Sequence, residues 1–490
     1  MIGDDHHDSQ PDIAARLERL PWSRFHRRAV FALGITWILD GLEVTLVGAL
    51  APLLTRPAAL ALTARAVGLL ASSYLAGAVL GSLVFGHLAD RSGRKRLFTV
   101  TLVLYIAATA ASGLAWNFAS LALFRFLTGA GIGGEYSAIN SAIQELVPAE
   151  RRGRVDLIVN GSFWLGAAAA AGLNVVLLAP GWLPVSWAWR LAFLLGAALG
   201  LIALLLRRHI PESPRWLQAR GRLREAQAAM SAIEAAASGL HPSTAGEGYA
   251  RSAGRPSVGL AATLRVILCQ YPRRALLGGV LMTAQAFFYN AFFFTYALVL
   301  VRFLGVRATH VGFYLWPFAL SNFLGAASLA RFFDTIGRRA MMVATYGLSG
   351  LLMIAAAWMF RVQALNGFTQ TLAWAGIFFF ASAGASGAYL TVSESFPIEV
   401  RARAIGLFYA FGTAVGGVLA PALFTTLIAS GSRTRVFYGY LLAAVLMLIA
   451  AGVEGVLGFA AERRPLEALT APLTAPPPRP TSDTPVNRDS

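Results

Sequence analysis

Apolar stretches of about 20 residues run along the chain and alternate with short segments that carry the charged residues. An α-helix rises ~1.5 Å per residue, so a stretch of this length crosses the ~30 Å hydrocarbon core of a bilayer. The pattern predicts twelve membrane-spanning helices, near residues 29–54, 66–88, 97–116, 118–144, 157–179, 188–206, 275–301, 310–330, 340–360, 371–393, 404–429 and 436–460. They form two sets of six, separated by a long polar interval.

The segments outside these helices complete the predicted organisation. We expect a cytoplasmic N-terminal segment (1–28), an N-terminal six-helix half (29–207), a cytoplasmic linker (208–274), a C-terminal six-helix half (275–460) and a disordered cytoplasmic tail (461–490). The linker is predicted to contain one amphipathic helix, because a proline stands near its start and Ser-Gly follows its end. The tail is rich in proline and threonine, which is typical of disordered segments.

Composition and charge agree with a membrane protein. Of the 490 residues, 57% are hydrophobic and 13% are charged, whereas about a quarter of a soluble domain is charged. With the predicted helices, 32 of the 41 Lys and Arg residues fall on one side, eight on the other and one inside a span. Basic residues accumulate on the cytoplasmic side, so both termini and the linker are expected there. The net charge of +17 therefore indicates topology rather than nucleic-acid binding.

Two short sequences occur once in each half. LADRSGRKR (88–96) follows the second predicted span, and the similar FFDTIGRRA (332–340) follows the eighth. ELVPAERRGR (145–154) follows the fourth span, and ESFPIEVRAR (394–403) follows the tenth. Two signatures in the same order predict duplicated halves. Transporters built in this way bind their substrate between the halves, near the middle of the membrane.

These segments carry a family resemblance. GHLADRSGRK (86–95) fits the loop signature G-x-x-x-D-R-x-G-R-K of the major facilitator superfamily, and RFLTGAGIG (125–133) fits its helix 4 pattern. IPESPRWLQARGRLREA (210–226) and SESFPIEVRAR (393–403) resemble sequences of its sugar porters. The chain is identified as a member of this superfamily. It resembles the branch of sugar porters, organic-acid:proton symporters and nicotinate-type transporters.

The resemblance implies an all-α membrane protein of twelve transmembrane helices in two pseudo-symmetric six-helix halves. It also implies a secondary transporter that works by alternating access, with a small-molecule substrate, protons and the lipid bilayer as its partners. We expect a monomer in a bacterial inner membrane. Lys95 is the only lysine, and such preference for arginine is typical of a GC-rich bacterial genome.

The repeated signatures are predicted to form a cytoplasmic gate. In the family, carboxylate–guanidinium pairs close this gate when the protein faces outward, and such pairs are often bidentate. The resemblance assigns to the gate Gly86, Asp90, Arg91, Gly93, Arg94, Glu145, Arg152, Asp334, Gly337, Arg338, Glu394 and Arg401. The alternative is that these charges only set the topology and keep the loop ends in water.

The first predicted span contains two carboxylates, Asp40 and Glu43. Each acid at the middle of a membrane helix costs ~2.5–3.5 kcal/mol on insertion scales, so such residues are functional by default. Residues three apart lie on roughly the same helix face. Two ionised acids this close repel each other, which favours proton uptake by one of them. Arg125 lies inside the fourth span and supplies an opposite charge.

The resemblance places Glu43 and Arg125 where sugar porters keep their coupling acid and arginine. The hypothesis is that Glu43 carries the proton and that Arg125 pairs with its ionised form. Asp40 is then a tuning group or second proton site, and Glu135 is a reserve proton site. The alternative is a structural acid–arginine pair that takes no part in turnover.

The substrate site is predicted from the seventh and tenth spans. Gln285 and Asn290 keep two amides of the sugar-porter pattern Q-Q-x-x-G-I-N, while Tyr289 replaces its isoleucine. Tyr389 stands five residues before Glu394, where sugar porters have a tryptophan. These four residues are the substrate-binding candidates, and weaker ones are Asn160, Asn174 and Asn322. Fewer amides and more aromatic rings favour an organic or aromatic acid over a hexose.

Enzyme functions are not supported by the sequence. It contains no Walker A sequence, no G-x-S-x-G turn and no His/Cys/Asp group with zinc-site spacing, so we expect no enzyme, cofactor or metal site. A single cysteine excludes an internal disulfide. The predicted function is a proton-coupled secondary transporter of a small organic, anionic or aromatic metabolite. A sugar or polyol porter and a non-transporting sensor on the same scaffold remain as alternatives.

Overall fold

The computed structural model describes residues 13–92, 94–177, 183–207, 212–238, 259–293, 295–307 and 310–470. These residues are helical and contain no β-strand. All twelve predicted spans are helices, which confirms the all-α prediction: α1 Arg24–Leu54, α2 Ala64–Ser92, α3 Arg94–Gly113, α4 Phe118–Leu146, α5 Arg152–Gly161 with Phe163–Leu177, α6 Val185–Arg207, α7 Pro272–Phe293 with Tyr296–Leu304, α8 Val311–Thr335, α9 Arg338–Arg361, α10 Gly367–Glu394, α11 Arg401–Gly412 with Leu419–Ala429, and α12 Arg433–Leu457.

The outward faces of these helices are apolar. In the described part of the chain, nine helical stretches are long and apolar enough to cross a membrane. Leu201 and Ile202 of α6 are half exposed, and so is Leu419 of α11. Large exposed apolar surface is unusual on a soluble monomer, but lipid tails cover it without cost. The protein is therefore a multi-pass integral membrane protein.

Glycines allow the helices of the N-terminal half to pack closely. A Cβ atom added to Gly41 of α1 would lie 1.8 Å from the carbonyl oxygen of Phe163 in α5. One added to Gly129 of α4 would lie 2.1 Å from the carbonyl oxygen of Tyr74 in α2. No other residue permits such backbone approach. The two contacts draw α1, α2, α4 and α5 together around the acids of α1.

Three of the twelve helices, α5, α7 and α11, are interrupted along their length. In α5 the hydroxyl of Ser162 donates to the carbonyl of Val159 at 2.6 Å, and the helix restarts at Phe163. In α11 a π-helical turn, Thr413–Gly417, separates the two α-helical parts. Side chains or π-turns that disturb the backbone ladder commonly bend helices at such points. In transporters, discontinuous helices mark the binding region.

Shorter helices lie at one face of the bundle, which we call the terminal face because both ends of the described chain reach it. The predicted single linker helix is divided into Pro214–Ala219 and Leu223–Ser238, since Gly221 has a left-handed φ of 72° and ends the first one. The linker continues as Leu260–Arg265 and the π-helical Val266–Gln270.

Both chain ends form structure at the terminal face. Helix Ile13–Arg19 precedes α1, and helix Leu466–Leu469 follows α12. The second helix belongs to the segment predicted as a disordered tail, and the described structure extends ten residues into that segment. Residues 471–490 of the predicted tail lie outside the described residues.

Candidate functional site

A buried ion pair joins α1 to α4. Nη1 of Arg125 lies 2.5 Å from Oε2 of Glu43, and the two side chains are 1% and 0% exposed. The guanidinium also lies over the ring of Tyr74, 4.8 Å from its centroid, and over Phe193, 5.6 Å from its centroid. Aromatic faces attract cations most strongly when water is excluded. The arginine is thus held by one carboxylate and two rings.

Asp40 has different partners although it lies only three residues before Glu43. Tyr74 of α2 donates its hydroxyl to Oδ1 at 2.8 Å, and Tyr136 of α4 donates to Oδ2. The side chain is buried, and the salt bridges of the described residues do not include it. A carboxylate in this position depends on two phenol hydroxyls for stabilisation. Glu135 is also buried, directly before Tyr136 in α4.

Four aromatic side chains meet where the two halves face each other. Tyr136 stacks on Tyr409 of α11, with ring centroids 4.3 Å apart and planes at 22°. Its ring also lies parallel to that of Tyr389 of α10 at 6.1 Å, and Trp37 of α1 contacts it edge-on at 4.5 Å. We call these four residues the aromatic stack. It connects the acid-bearing half directly to the other half.

The substrate candidates of α7 and α10 occupy different places. Tyr389 belongs to the aromatic stack, and the side chain of the buried Gln285 interacts with it. Tyr289 donates to Oδ1 of Asn322 at 2.9 Å and lies 5.5 Å from the ring of Trp164 in α5. These residues therefore lie at the contact between the halves.

Asn290 and the two asparagines of α5 contribute less. The amide of Asn290 donates to the carbonyl of Ala286 in its own helix at 2.7 Å. Asn160 donates to Oδ2 of Asp156 at 3.0 Å, within a buried polar group on the terminal side. The side chain of Asn174 lies outside the described residues.

Tyr136, Tyr409 and Asp156 were not predicted as site residues. A tyrosine inside an apolar span usually finds a partner for its hydroxyl, and this was the only signal that Tyr136 and Tyr409 offered. Asp156 stands at the predicted edge of the fifth span, where a carboxylate is ordinarily solvated. In the structure it is fully buried, and it accepts from the amide of Gln144 at 3.5 Å.

At the terminal face an ion-pair network links the halves. Nε and Nη2 of Arg338 both donate to Glu394 at 3.1 Å, and Nη1 donates to Asp334 at 2.6 Å. Asp334 in turn accepts from two backbone N–H groups of the other half, Gly153 at 3.0 Å and Arg154 at 2.7 Å. These bonds hold the end of α8 against the start of α5.

The chain ends extend this network. Glu18 of the N-terminal helix accepts from Arg152 at 3.0 Å, from Arg215 of the linker at 2.7 Å and from the backbone N–H of Ala149 at 2.7 Å. Arg152 also donates to the carbonyl of Arg464, beyond α12, at 3.2 Å. Two segments far from the repeated signatures thus contact Arg152.

The structure describes some of the other predicted gate residues in full and others only in part. Glu145 and Arg401 are buried, and Arg401 donates to the carbonyl of Phe396 at 3.2 Å. Gly337 has a positive φ of 123°, and Gly86 is buried within α2. Of Asp90, Arg91 and Arg94 only the helical backbone is described, and Gly93 lies outside the described residues.

Comparison with known proteins decides the family. The profile of the sugar (and other) transporter family matches residues 39–470. The chain belongs to this family. Membership in this family of the major facilitator superfamily makes the protein a small-molecule transporter and not an enzyme.

Two relatives of this transporter illustrate the range of substrates. It is 29% identical to the niacin transporter NiaP of Acinetobacter baylyi, over 94% of this chain and 99% of that protein. It is 27% identical to a probable 4-methylmuconolactone transporter of Cupriavidus pinatubonensis, over 78% of this chain and 79% of that protein.

A solved structure confirms the twelve-helix fold of the transporter. The proton:xylose symporter XylE, bound to 6-bromo-6-deoxy-D-glucose, superposes with a TM-score of 0.73 over 91% of this chain and 99% of that chain. The two sequences are 18% identical, so the likeness concerns the fold alone.

Proposed function

We propose that this protein is a proton-coupled importer of planar aromatic carboxylates of the nicotinate class. It lies in the bacterial inner membrane with its terminal face in the cytoplasm, as the distribution of arginines favours. The observation that carries the proposal is Asp40, a buried carboxylate whose hydrogen-bond partner Tyr136 is also part of the aromatic stack between the halves.

The shape of the stack supports an aromatic substrate. The rings of Tyr389 and Tyr409 lie within 22° of parallel to that of Tyr136, and aromatic rings gain energy in offset-stacked arrangements. A sugar site would need several amides and hydroxyls aimed at one cavity. Of the amides predicted for that purpose, Asn290 bonds to its own helix. The relative named as a niacin transporter supports the same substrate class.

The net charge of Asp40, Glu43 and Arg125 supports proton coupling. Asp40 and Glu43, both ionised, outweigh Arg125 by one negative charge. An anionic substrate entering beside them is repelled until a proton is taken up, because unscreened like charges interact strongly at low dielectric. Proton and anion therefore bind together more favourably than either alone.

The ion pair supports a role for Glu43 as the proton carrier. Ionised Glu43 pairs with Arg125 and leaves that part of the cluster neutral, which suits the return of the empty transporter. Protonation of Glu43 releases Arg125, which suits the loaded state. Asp40 is the second proton site.

We assign the ion-pair network at the terminal face to the cytoplasmic gate, because alternating access requires that face to close and open. The bonds from Asp334 to Gly153 and Arg154 cross between the halves, so opening of the terminal face must break them. Glu394 and Arg338 keep Asp334 in position and need not separate from each other, but the pair of Glu394 with Arg152 at 3.8 Å also crosses between the halves. Glu18 holds Arg152 from the same half, and the carbonyl of Arg464 accepts from it across the halves.

Uptake into proteoliposomes tests the function. With an inward pH gradient, labelled nicotinate should accumulate, and a protonophore should abolish the accumulation. Nicotinamide, which has the same ring without the charge, should enter at least about tenfold more slowly, since a site that pairs a proton with an anion rejects the neutral analogue. Accumulation of xylose instead would support the sugar porter, and binding of nicotinate without transport would support the sensor.

Replacing Tyr389 by Ala removes one face of the stack. The apparent KM for nicotinate should rise about tenfold, because a stacked aromatic pair contributes ~0.5–1.5 kcal/mol beyond its buried area. Membrane insertion and protein yield should not change. Tyr438→Ala is the matched control, since Tyr438 is 58% exposed on the outer face of α12. An unchanged KM in Tyr389→Ala would move the substrate away from the stack.

A further inference from the structure

Tyr136 of the N-terminal half connects Asp40 to the C-terminal half. Its hydroxyl donates to Oδ2 of Asp40, while its ring stacks on Tyr409 at 4.3 Å. Tyr74 donates to the other oxygen of Asp40, but the ring of Tyr74 faces Arg125. Both phenols thus donate the same kind of hydrogen bond to Asp40. They differ in their ring contacts, since Tyr136 packs on Tyr409 and Tyr74 packs on Arg125.

The charged and titratable groups around Asp40 do not neutralise its ionised carboxylate. We therefore expect a proton to do so. On its own helix it faces Glu43, and from α4 it faces Arg125, which Glu43 already holds. The other groups that interact with it electrostatically are phenols: Tyr74 of α2, Tyr105 of α3, Tyr136 of α4, Tyr389 of α10 and Tyr409 of α11. A third acid, Glu135, is buried directly before Tyr136 in α4 and also interacts with Tyr105. In the described residues around it, no cation compensates Asp40 directly.

Protonation of Asp40 changes what Tyr136 can do. An ionised carboxylate only accepts hydrogen bonds, whereas a protonated one carries an O–H donor. A proton on Oδ2 makes Asp40 the donor toward the hydroxyl of Tyr136. That hydroxyl then accepts from Asp40 and must direct its own O–H elsewhere. Along the stack it already has Tyr409 as a hydrogen-bond partner, and the carboxylate of an aromatic acid bound there would be a stronger acceptor than this phenol.

We infer that Tyr136 couples protonation of Asp40 to substrate binding, by turning its hydroxyl from Asp40 to the carboxylate of the substrate. The inference rests on the proposed function, because it requires an anionic aromatic substrate at the stack. One O–H bond forms at Oδ2 of Asp40 with a proton from water. Tyr136 keeps its own proton throughout, and the substrate stays ionised. Uptake of one proton with one anion leaves the net charge of the site unchanged.

The coupling has a measurable consequence. If one proton binds with each substrate anion, the Kd for the anion rises with pH, by at most tenfold per pH unit, through linkage. The role differs from that of Glu43, whose pairing with Arg125 concerns the reorientation of the transporter. Tyr136 acts on binding alone, before any movement of the halves.

Titration calorimetry of the purified full-length protein with nicotinate tests this inference. Between about pH 6 and about pH 8, where an aromatic carboxylate remains ionised, the wild-type Kd should rise at least tenfold. Buffers of different ionisation enthalpy should show uptake of about one proton per nicotinate bound.

Variants of Tyr136 and of Asp40 should change the affinity for nicotinate in opposite directions. Tyr136→Phe keeps the stacked ring and should bind weakly at both pH values, with clearly less than one proton taken up per nicotinate. Asp40→Asn imitates the neutral acid and should bind at both pH values as tightly as wild type does at about pH 6. Tyr74→Phe removes the equivalent hydroxyl from the other oxygen of Asp40 and should keep the pH dependence. Thermal unfolding of each variant in detergent checks that it is folded.

The possible failures are distinct. If wild type does not bind nicotinate at any pH, the proposed function is wrong and the inference falls with it. If nicotinate binds without proton uptake, or if Tyr136→Phe still takes up one proton, the inference alone is wrong. In the second case the transporter proposal stands, and another group receives the proton.

Discussion

Replacing Glu43 by Gln is expected to abolish uphill accumulation of substrate while leaving exchange of substrate across the membrane intact. Glu43 is fully buried and forms the salt bridge to Arg125 at 2.5 Å. Glutamine has the same shape and still accepts from the guanidinium, but it neither takes up nor releases a proton. The empty transporter then lacks the ionised partner that neutralises Arg125, so it returns only when it is loaded.

The measurement is a pair of assays in the same proteoliposomes. With a pH gradient of about one unit, wild type should concentrate nicotinate up to about tenfold per coupled proton, and the variant should not exceed a ratio of about one. Counterflow with preloaded nicotinate should proceed in both. Glu454→Gln is the control, because it neutralises another buried carboxylate, in α12 and outside the cluster. Full uphill uptake by Glu43→Gln would make the Glu43–Arg125 pair a structural one.

Replacing Asp334 by Ala is expected to open the terminal face. Asp334 accepts from the N–H groups of Gly153 and Arg154 across the halves, and both bonds exist only while the face is closed. Bonds to a charged acceptor contribute roughly 1.5 kcal/mol or more each, so their loss should shift the closed-to-open equilibrium by about a hundredfold. In the open state water satisfies the freed N–H groups, so that state is not penalised.

Accessibility of a single cysteine measures the shift. Ala402→Cys, in a Cys269→Ser background, places a thiol at a fully buried position packed against Leu97 of the other half. A water-soluble maleimide should label it at least tenfold faster after the Asp334 change. Glu225→Gln is the matched control, because its ion pair with Arg222 is exposed on the linker and contributes little. Equal labelling in all three proteins would show that Asp334 does not hold the face closed.

The fold follows from the sequence because its signals are local. A span of about 20 apolar residues has one way to satisfy its backbone in lipid, so each predicted stretch became a helix. The duplicated signatures then indicated two halves. The linker differs at Gly221, which turned one predicted helix into two because a left-handed residue cannot continue the helix.

The site was harder to predict from the sequence than the fold was. Glu43 and Arg125 stand out in a sequence because charge is rare in a span, and the structure pairs them over 82 positions. Tyr136 contacts Asp40 across 96 positions, and Glu18 contacts Arg152 across 134. Tyrosine is ordinary in a span and glutamate is ordinary in a terminal segment, so neither pattern signals its partner. Only the packing of distant helices reveals these contacts.

The different surroundings of Asp40 and Glu43 have an electrical consequence. On the proposed assignment each cycle carries two protons with one monovalent carboxylate, so one positive charge crosses with every substrate. Moving a charge through a membrane potential yields about 2.3 kcal/mol per 100 mV. The cell would then drive uptake with its resting voltage even where no pH difference exists. A single acid in this helix would have made the same transport indifferent to voltage.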